Sequence, residues 1–303
     1  MGARAQRALD RAAVAAARVR RDRARYFRRR AEGPGWREHL DLDVAPAPPL
    51  TTDEPVQVTV ETLLGPLTGA AWLAHDAGPD APVIVTHHGS GERPFDLRRR
   101  APNALNRALL AGTPPATVVA VRAPLHEGSR RRYDAVIGDL VAWMALLAAS
   151  AGIVEAVVRR LAKDHAPPVL VTGFSLGGWV TSLHRAGWDS ADCAAPLCAG
   201  AHLGRQMVDS AYARAVSTRA LADPDALRAT LDFADLFMAR SARLAPLLAR
   251  HDQYARPADQ VEAFGEAPVR YLETGHIGAA LTGGPLLRAH LAAQAAALKH
   301  ERG

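Results

Sequence analysis

Cysteine and aromatic side chains are scarce in this chain of 303 residues, which has two cysteines and 5% Phe, Trp and Tyr. Cys193 and Cys198 lie five residues apart, and the lack of a Cys-x-x-Cys spacing argues against a zinc knot. We therefore predict two buried thiols in a reducing compartment. Hydrophobic residues make up 49% of the chain, which is enough for a sizeable core without disulfides or metal ions.

The sequence also lacks an uninterrupted run of about 18 apolar residues, the length that a transmembrane helix requires. Its first residues do not contain the apolar core of a secretory signal. These two features predict a cytoplasmic protein without a transmembrane segment.

Acidic residues are sparse at the N-terminus. Residues 1–33 contain eleven arginines against three acidic residues, a net charge of +8, whereas the whole chain carries +6. Residues 34–303 are therefore slightly acidic, at about −2. A nucleic-acid-binding domain would spread positive charge over a folded face, so no nucleic-acid partner is expected.

The basic segment is predicted to form a separate helical arm over residues 1–33. Its apolar positions are mostly alanine, and the helix over 3–31 is expected to stop at the helix-breaking residues 32–35. We expect a solvated or loosely docked arm, with Tyr26 and Phe27 as anchors. A weak contact with an anionic surface is the alternative.

Residues 34–303 alternate between short apolar runs and helical stretches, which is typical of one α/β domain. A hairpin is predicted over 56–61 and 67–73, followed by strands over 82–86, 116–121, 168–172, 194–199, 245–249 and 269–272. Helices are predicted over 97–111, 133–163 (interrupted near 150–152), 177–185 and 286–299. Such repeats predict a mostly parallel sheet with helices on both faces. The helical stretch 201–244 predicts a small cap insertion.

The segment Gly173-Phe174-Ser175-Leu176-Gly177 lies between a buried strand and a helix. Attack by a serine hydroxyl on an acyl carbon needs the side chain held out on a sharp turn, which flanking glycines permit. The backbone N–H of Leu176 would then point at the developing oxyanion. The pattern predicts Ser175 as a nucleophile.

This strand–Gly-x-Ser-x-Gly–helix unit resembles the nucleophile elbow of the α/β-hydrolase superfamily. In element order the resemblance covers residues 53–298, and three short motifs carry it. It implies an α/β-hydrolase fold, serine hydrolase activity, and no metal ion or organic cofactor. It also implies an oxyanion loop after an early strand. Residues 83–91 are similar to that loop, with the N–H of Ser90 as the second donor.

The resemblance further implies an acid and then a histidine, in that chain order. His276 is the late histidine that directly follows a buried strand, where it can take the proton of Ser175 and return it to the leaving group. Asp252, at the exit of the preceding strand, is the favoured acid that orients the imidazole. Asp259 and Glu273 are the alternatives.

Residues beside these motifs are candidate substrate contacts. They are His88, Gly89, His126, Phe174 and Trp179. For the side chains of His87 and His88, structural hydrogen bonding that shapes the loop is the favoured interpretation, and zinc binding is a weaker alternative.

The predicted function is hydrolysis of a carboxylic ester in a small-molecule acyl substrate, through an acyl-enzyme. A thioesterase, lactonase, peptidase or acyltransferase would use the same residues. A catalytically silent scaffold, whose basic arm binds an anionic partner, is the alternative of a different class. Serine at the elbow argues against dehalogenase and epoxide hydrolase chemistry, which the resemblance associates with aspartate there.

Overall fold

The computed structural model describes residues 1–20, 25–98, 101–114, 116–126 and 130–302. Nine strands in these ranges form one sheet. In chain order they are β1 (Val56–Thr62), β2 (Gly65–His75), β3 (Val83–His87), β4 (Thr117–Arg122), β5 (Val169–Phe174), β6 (Cys193–Leu197), β7 (Arg243–Leu244), β8 (Leu247–Ala249) and β9 (Arg270–Leu272). Their order across the sheet is β1-β2-β4-β3-β5-β6-β8-β9, and β7 pairs with β6.

Helices connect the strands and cover the sheet. The α-helices are α1 (Ala3–Arg20), α2 (Trp36–Leu40), α3 (Ala104–Leu109), α4 (Arg130–Ile137), α5 (Leu140–Asp164), α6 (Leu176–Gly187), α7 (Leu203–Asp209), α8 (Pro224–Leu231), α9 (Ala234–Met238), α10 (Pro257–Gln260), α11 (His276–Thr282) and α12 (Gly284–Arg302). Short 3₁₀ segments lie at Ala211–Ala215, Ala220–Ala222 and Val261–Phe264.

The sheet is mostly parallel because helical crossovers join its central strands. β1 pairs antiparallel with β2, and β2 with β4, whereas the other pairings among the described strands are parallel. Strands β3, β5 and β6 are buried along their whole length. Helices α5 and α6 contribute to the core on one face of the sheet, and α3 and α12 to the core on the other. The sheet type and its two covered faces agree with the sequence prediction.

The long helix predicted over 133–163 is interrupted, but at a different place. α4 ends at Ile137 and α5 starts at Leu140, whose N-cap Asp139 accepts a hydrogen bond from the N–H of Ala142 at 3.0 Å. The predicted break at 150–152 is wrong, because Gly152 stays helical. A Cβ there would lie 3.1 Å from Val60 of β1, so the glycine serves close packing of α5 on the sheet.

Helix α5 is long and apolar enough by composition to cross a membrane, although polar residues interrupt its apolar run. However, 94% of its most apolar window is buried inside the protein. Its apolar side chains pack against the strands, as expected for the core helix of a globular domain.

The N-terminal segment differs from the predicted loosely docked helix over 3–31. α1 ends at Arg20, and residues 25–31 are not helical; residues 21–24 lie outside the described ranges. Tyr26 forms a β-bridge with Val216. The ring of Phe27 is fully buried and makes an edge contact with Trp143 at 5.4 Å between centroids. Both aromatic residues therefore anchor the segment in the core.

Replacing Phe27 by Ala should lower the free energy of unfolding by about 3–5 kcal/mol, because a fully buried ring is lost from a packed aromatic cluster. Urea denaturation followed by circular dichroism would measure this loss. Leu63, which is 50% exposed between β1 and β2, provides the control. Leu63→Ala should change stability by less than about 0.5 kcal/mol. An equally small change for Phe27→Ala would contradict anchoring.

Candidate active site

Ser175 occupies the sharp turn between β5 and α6. Its φ of 58° and ψ of −111° lie in a region that non-glycine residues rarely adopt. The glycines allow the turn, because a Cβ on Gly173 would lie 2.4 Å from a backbone carbon of Gly177. A Cβ on Gly177 would lie 2.1 Å from the carbonyl oxygen of His87. This close packing of strand and helix holds the Ser175 side chain out at the sheet edge.

The structure brings Ser175, His276 and Asp252 together in a line. The Nε2 atom of His276 lies 2.8 Å from the Oγ of Ser175. The Nδ1 atom lies 2.7 Å from the Oδ2 of Asp252. Ser175 follows β5, Asp252 follows β8 and His276 follows β9, so the carboxyl ends of three parallel strands deliver them to one edge of the sheet.

Asp252 is buried, and both carboxylate oxygens have partners. Oδ1 accepts hydrogen bonds from the backbone N–H groups of Tyr254 at 2.6 Å and Ala255 at 3.0 Å, which leaves Oδ2 directed at His276. The two alternative acids form ion pairs elsewhere, Asp259 with Arg256 and Glu273 with Arg250. The geometry therefore favours Asp252 as the partner of His276.

The electrostatic surroundings of His276 favour its protonated form. Burial by itself would lower the pKa of His276, but the carboxylate of Asp252, the hydrogen bond to it and the carboxylate of Asp10 outweigh burial. The pKa of His276 is raised above its ordinary value. An imidazole in this position is well suited to accept and hold a proton from the serine hydroxyl.

Ser175 lines a cavity of about 280 Å³. Its walls come from the loop after β3, from α1 and the residues that follow it, and from the 3₁₀ segment Ala211–Ala215. The loop after β8 and helix α11 complete them. Lining residues include Ala13, Val14, Tyr26, Gly89, Ser90, Phe174, Tyr212, Tyr254, Ile277 and Ala280. Three tyrosines and several aliphatic side chains give this wall an apolar and aromatic character.

The loop after β3 is held by Glu92. Its Oε2 accepts a hydrogen bond from the N–H of Gly89 at 2.8 Å, and its Oε1 accepts one from the N–H of Ala104 at 2.9 Å. These bonds fix the loop that places Ser90 on the cavity wall, next to Ser175. The assignment of Ser90 and Leu176 as oxyanion donors stays a prediction.

Two of the predicted substrate contacts lie at the cavity. Gly89 and Phe174 both line it, and the Phe174 ring is 5.2 Å from the His276 ring. Trp179 does not line it: its side chain is buried against Phe233, 6.3 Å between ring centroids. Four residues after the nucleophile, α6 has already turned this side chain into the core.

The structure does not support His88 or His126 as substrate contacts. Nδ1 of His88 lies 2.8 Å from the carbonyl oxygen of Gly89, while its Nε2 accepts a hydrogen bond from the N–H of Ala123 at 3.1 Å. Both ring nitrogens of His88 therefore form hydrogen bonds that shape the loop. His126 packs edge-on against His88 and lines a separate surface cleft with Arg122. Strand β3 lies between β4 and β5 and so separates His126 from Ser175.

Several residues at the site were not found from the sequence. Tyr254 places its ring 4.6 Å from that of His276, and Tyr212 packs on Tyr254. Gln6 and Asp10 of α1 are buried against the loop that carries His276. The sequence signal for Asp10 is an acidic residue within an arginine-rich segment, which by itself does not indicate burial.

No family model and no curated protein sequence matches this chain. Solved structures do match it. Acetyl xylan esterase 1 from Thermoanaerobacterium sp. gives a TM-score of 0.55 at 13% identity, over 85% of this chain and 90% of that one. Esterase Pf2001 from Pyrococcus furiosus gives 0.51 at 14% identity, over 82% and 97%.

An acylaminoacyl peptidase from Pyrococcus horikoshii is also similar, with a TM-score of 0.50 at 14% identity over 83% of this chain. The match covers 41% of the peptidase, so this chain corresponds to only part of that protein. At such identities these likenesses establish architecture. Together with the sheet order and the turn at Ser175, they show that the chain has the predicted α/β-hydrolase fold.

Proposed function

We propose that this protein is a serine hydrolase that cleaves a carboxylic ester through an acyl-enzyme. The observation that carries the proposal is the continuous contact from the Oγ of Ser175 through the imidazole of His276 to the carboxylate of Asp252, at 2.8 and 2.7 Å. Nucleophile, base and orienting acid in this arrangement define the chemistry of acyl transfer.

In the proposed reaction, Ser175 Oγ attacks the ester carbonyl carbon while Nε2 of His276 takes the hydroxyl proton. The resulting oxyanion accepts hydrogen bonds from the backbone N–H groups of Leu176 and Ser90. When the tetrahedral intermediate collapses, the alkoxide leaves and receives the proton from His276. Water then attacks the acyl-enzyme with His276 as base, which releases the carboxylic acid and restores Ser175.

The cavity supports a small substrate. At about 280 Å³, with walls from α1 and the 3₁₀ segment beside Ser175, it suits a compact acyl group better than an extended peptide. Two of the similar solved structures carry the name esterase, which agrees with this choice. A thioesterase, lactonase or acyltransferase would use the same residues.

A panel of p-nitrophenyl esters of increasing acyl length, with a matched acyl thioester and an acylaminoacyl anilide, tests the proposal. We expect turnover of the short esters, declining as the chain outgrows the cavity, and little cleavage of the anilide. Cleavage of the anilide or thioester in preference to every ester would contradict the ester assignment. Absence of turnover of any substrate would favour the catalytically silent scaffold.

The rate should depend on pH through His276, which must be neutral to take the serine proton. Because the pKa of His276 is raised, kcat/KM should be full above that pKa and fall about tenfold per unit as the pH drops below it. The midpoint of this acid limb should lie above the ordinary histidine value of about 6.5. Initial rates between pH 5 and 9 on a short ester measure it. A midpoint below 6, or a flat profile, would contradict the arrangement.

A further inference from the structure

Helix α1 reaches the candidate active site through one buried carboxylate. Asp10 is fully buried, and its oxygens accept three backbone hydrogen bonds from two separate segments, the loop after β8 and the start of α11. Oδ2 accepts from the N–H of Gln253 at 3.0 Å and from the N–H of His276 at 2.9 Å. Oδ1 accepts from the N–H of Ile277 at 3.0 Å. A single oxygen thus joins the residue that follows Asp252 to the backbone of His276.

The start of α11 and the residue before it leave room for the polar face of α1. A Cβ on Gly275 would lie 2.8 Å from Oδ2 of Asp10, and a Cβ on Gly278 would lie 2.4 Å from Oε1 of Gln6. Gln6 also accepts a hydrogen bond from the N–H of Gly275 at 3.1 Å. Residues 6 and 10 are one helical turn apart, so they share a face of α1. Glycines at both positions allow the helix to approach this closely.

We propose that Asp10 is a positioning residue of the active site, which fixes the backbone of His276 relative to that of Asp252 and adds negative charge beside the imidazole. This inference rests on the proposed serine hydrolase function. Among the described residues Asp10 forms no hydrogen bond with Ser175 or with the imidazole nitrogens; it acts through the backbone of Gln253 and of the first two residues of α11. The basic N-terminal segment then contributes a positioning residue to the active site.

The arrangement explains why a carboxylate is buried here. An Asp accepts with both oxygens, and three backbone N–H groups, one after β8 and two at the start of α11, donate to it; no cationic side chain among the described residues forms an ion pair with it. The other titratable side chains that face His276 or share its cavity come from four regions of the chain. Among the described residues they are Arg25, Tyr26, Glu92, Tyr212, Asp252 and Tyr254. Only the carboxylates of Asp252 and Asp10 raise the pKa of His276 among the described residues.

The test compares Asp10→Asn and Asp10→Ala with the wild-type protein and with Arg7→Ala, a change of an exposed residue on the same helix. Asp10→Asn is nearly isosteric but lacks the charge and can accept with only one atom. We expect its kcat on a short ester to fall about 10- to 100-fold with a nearly unchanged KM, because displacement of His276 impairs proton transfer. The acid limb of kcat/KM should move to lower pH. Arg7→Ala should leave kcat and the position of the acid limb unchanged.

A readout independent of turnover keeps the two proposals separable. The pKa of the His276 imidazole, followed by NMR in folded wild-type and Asp10→Asn protein, should be lower in the variant. If wild-type protein hydrolyses esters but Asp10→Asn keeps its kcat, its acid limb and its imidazole pKa, the positioning role is overturned. The same holds if Asp10→Asn lowers only the melting temperature. An inactive wild-type protein would overturn the proposed function, whereas the NMR comparison would still test whether Asp10 acts on His276.

Discussion

Ser175→Ala should abolish ester hydrolysis, with a fall in kcat of about 10⁵-fold or more, because among the described residues that line the cavity Ser175 is the one whose hydroxyl is hydrogen-bonded to His276. The fold should be retained. The Ser175 hydroxyl hydrogen-bonds only His276 among the described residues, and the N–H of residue 175 still donates to the carbonyl oxygen of Leu197. Initial rates on a short p-nitrophenyl ester, with melting curves on the same samples, measure both quantities.

A matched control for this variant lies on α6, the helix that follows Ser175. Ser182 of α6 is fully buried, and its hydroxyl has no hydrogen-bond partner among the described residues. Ser182→Ala removes the same atom without touching the cavity, so its kcat should stay within about twofold of the wild type. A Ser175→Ala protein with more than a few per cent of wild-type activity would show that hydrolysis uses another nucleophile.

Asp252→Asn should lower kcat by about 10⁴-fold while the protein stays folded. The amide oxygen of the new side chain can still accept from the N–H groups of Tyr254 and Ala255. Its NH₂ group would then face Nδ1 of His276, which favours the tautomer with the proton on Nε2. That tautomer cannot accept the proton of Ser175. Steady-state kinetics at the pH optimum of the wild type would measure the loss.

The two acids that the sequence left as alternatives are the controls for this prediction. Asp259 is paired with Arg256 and Glu273 with Arg250, both away from the imidazole. Asp259→Asn and Glu273→Gln should therefore change kcat by no more than about threefold, as expected for partly exposed ion pairs. A large loss in either variant, with a small loss in Asp252→Asn, would assign the acid differently.

The central strands and the turn at Ser175 could be predicted from the sequence because their signals are local. A short apolar run bounded by turn residues reports burial on both faces, and the glycines around Ser175 report a turn that few other residues allow. His276 and Asp252 could be found because parallel strands deliver their following residues to a common edge. In each case one stretch of chain contained the information.

The role of the N-terminal segment could not be predicted in this way. Asp10 contacts Gln253 and His276, which lie 243 and 266 positions further along the chain. The donors are backbone N–H groups, which have no signature in the amino-acid sequence. The mostly alanine apolar positions of residues 1–33 instead favour a solvated or loosely docked arm. The segment docks because Phe27 packs against Trp143 and Asp10 is buried, while the described arginines at 4, 7 and 11 lie on the exposed side of α1.

A related reason explains why two candidate substrate contacts do not line the cavity. Trp179 and His126 are candidates in the sequence because they lie close to the nucleophile or to a strand end. The helical turn after Ser175 directs Trp179 into the core, and the position of β3 between β4 and β5 separates His126 from the cavity. The true wall includes Tyr26, Tyr212 and Tyr254, which meet only through tertiary packing.

Covalent labelling by a fluorophosphonate is the most direct test of the serine hydrolase proposal. Wild-type protein should form one adduct, which peptide mass spectrometry locates on Ser175, and labelling should slow as His276 becomes protonated at acidic pH. Folded Ser175→Ala should form none, whereas Ser182→Ala should label like the wild type. Folded wild-type protein that does not label, or that labels at a different serine, would contradict the assignment of Ser175 as the nucleophile.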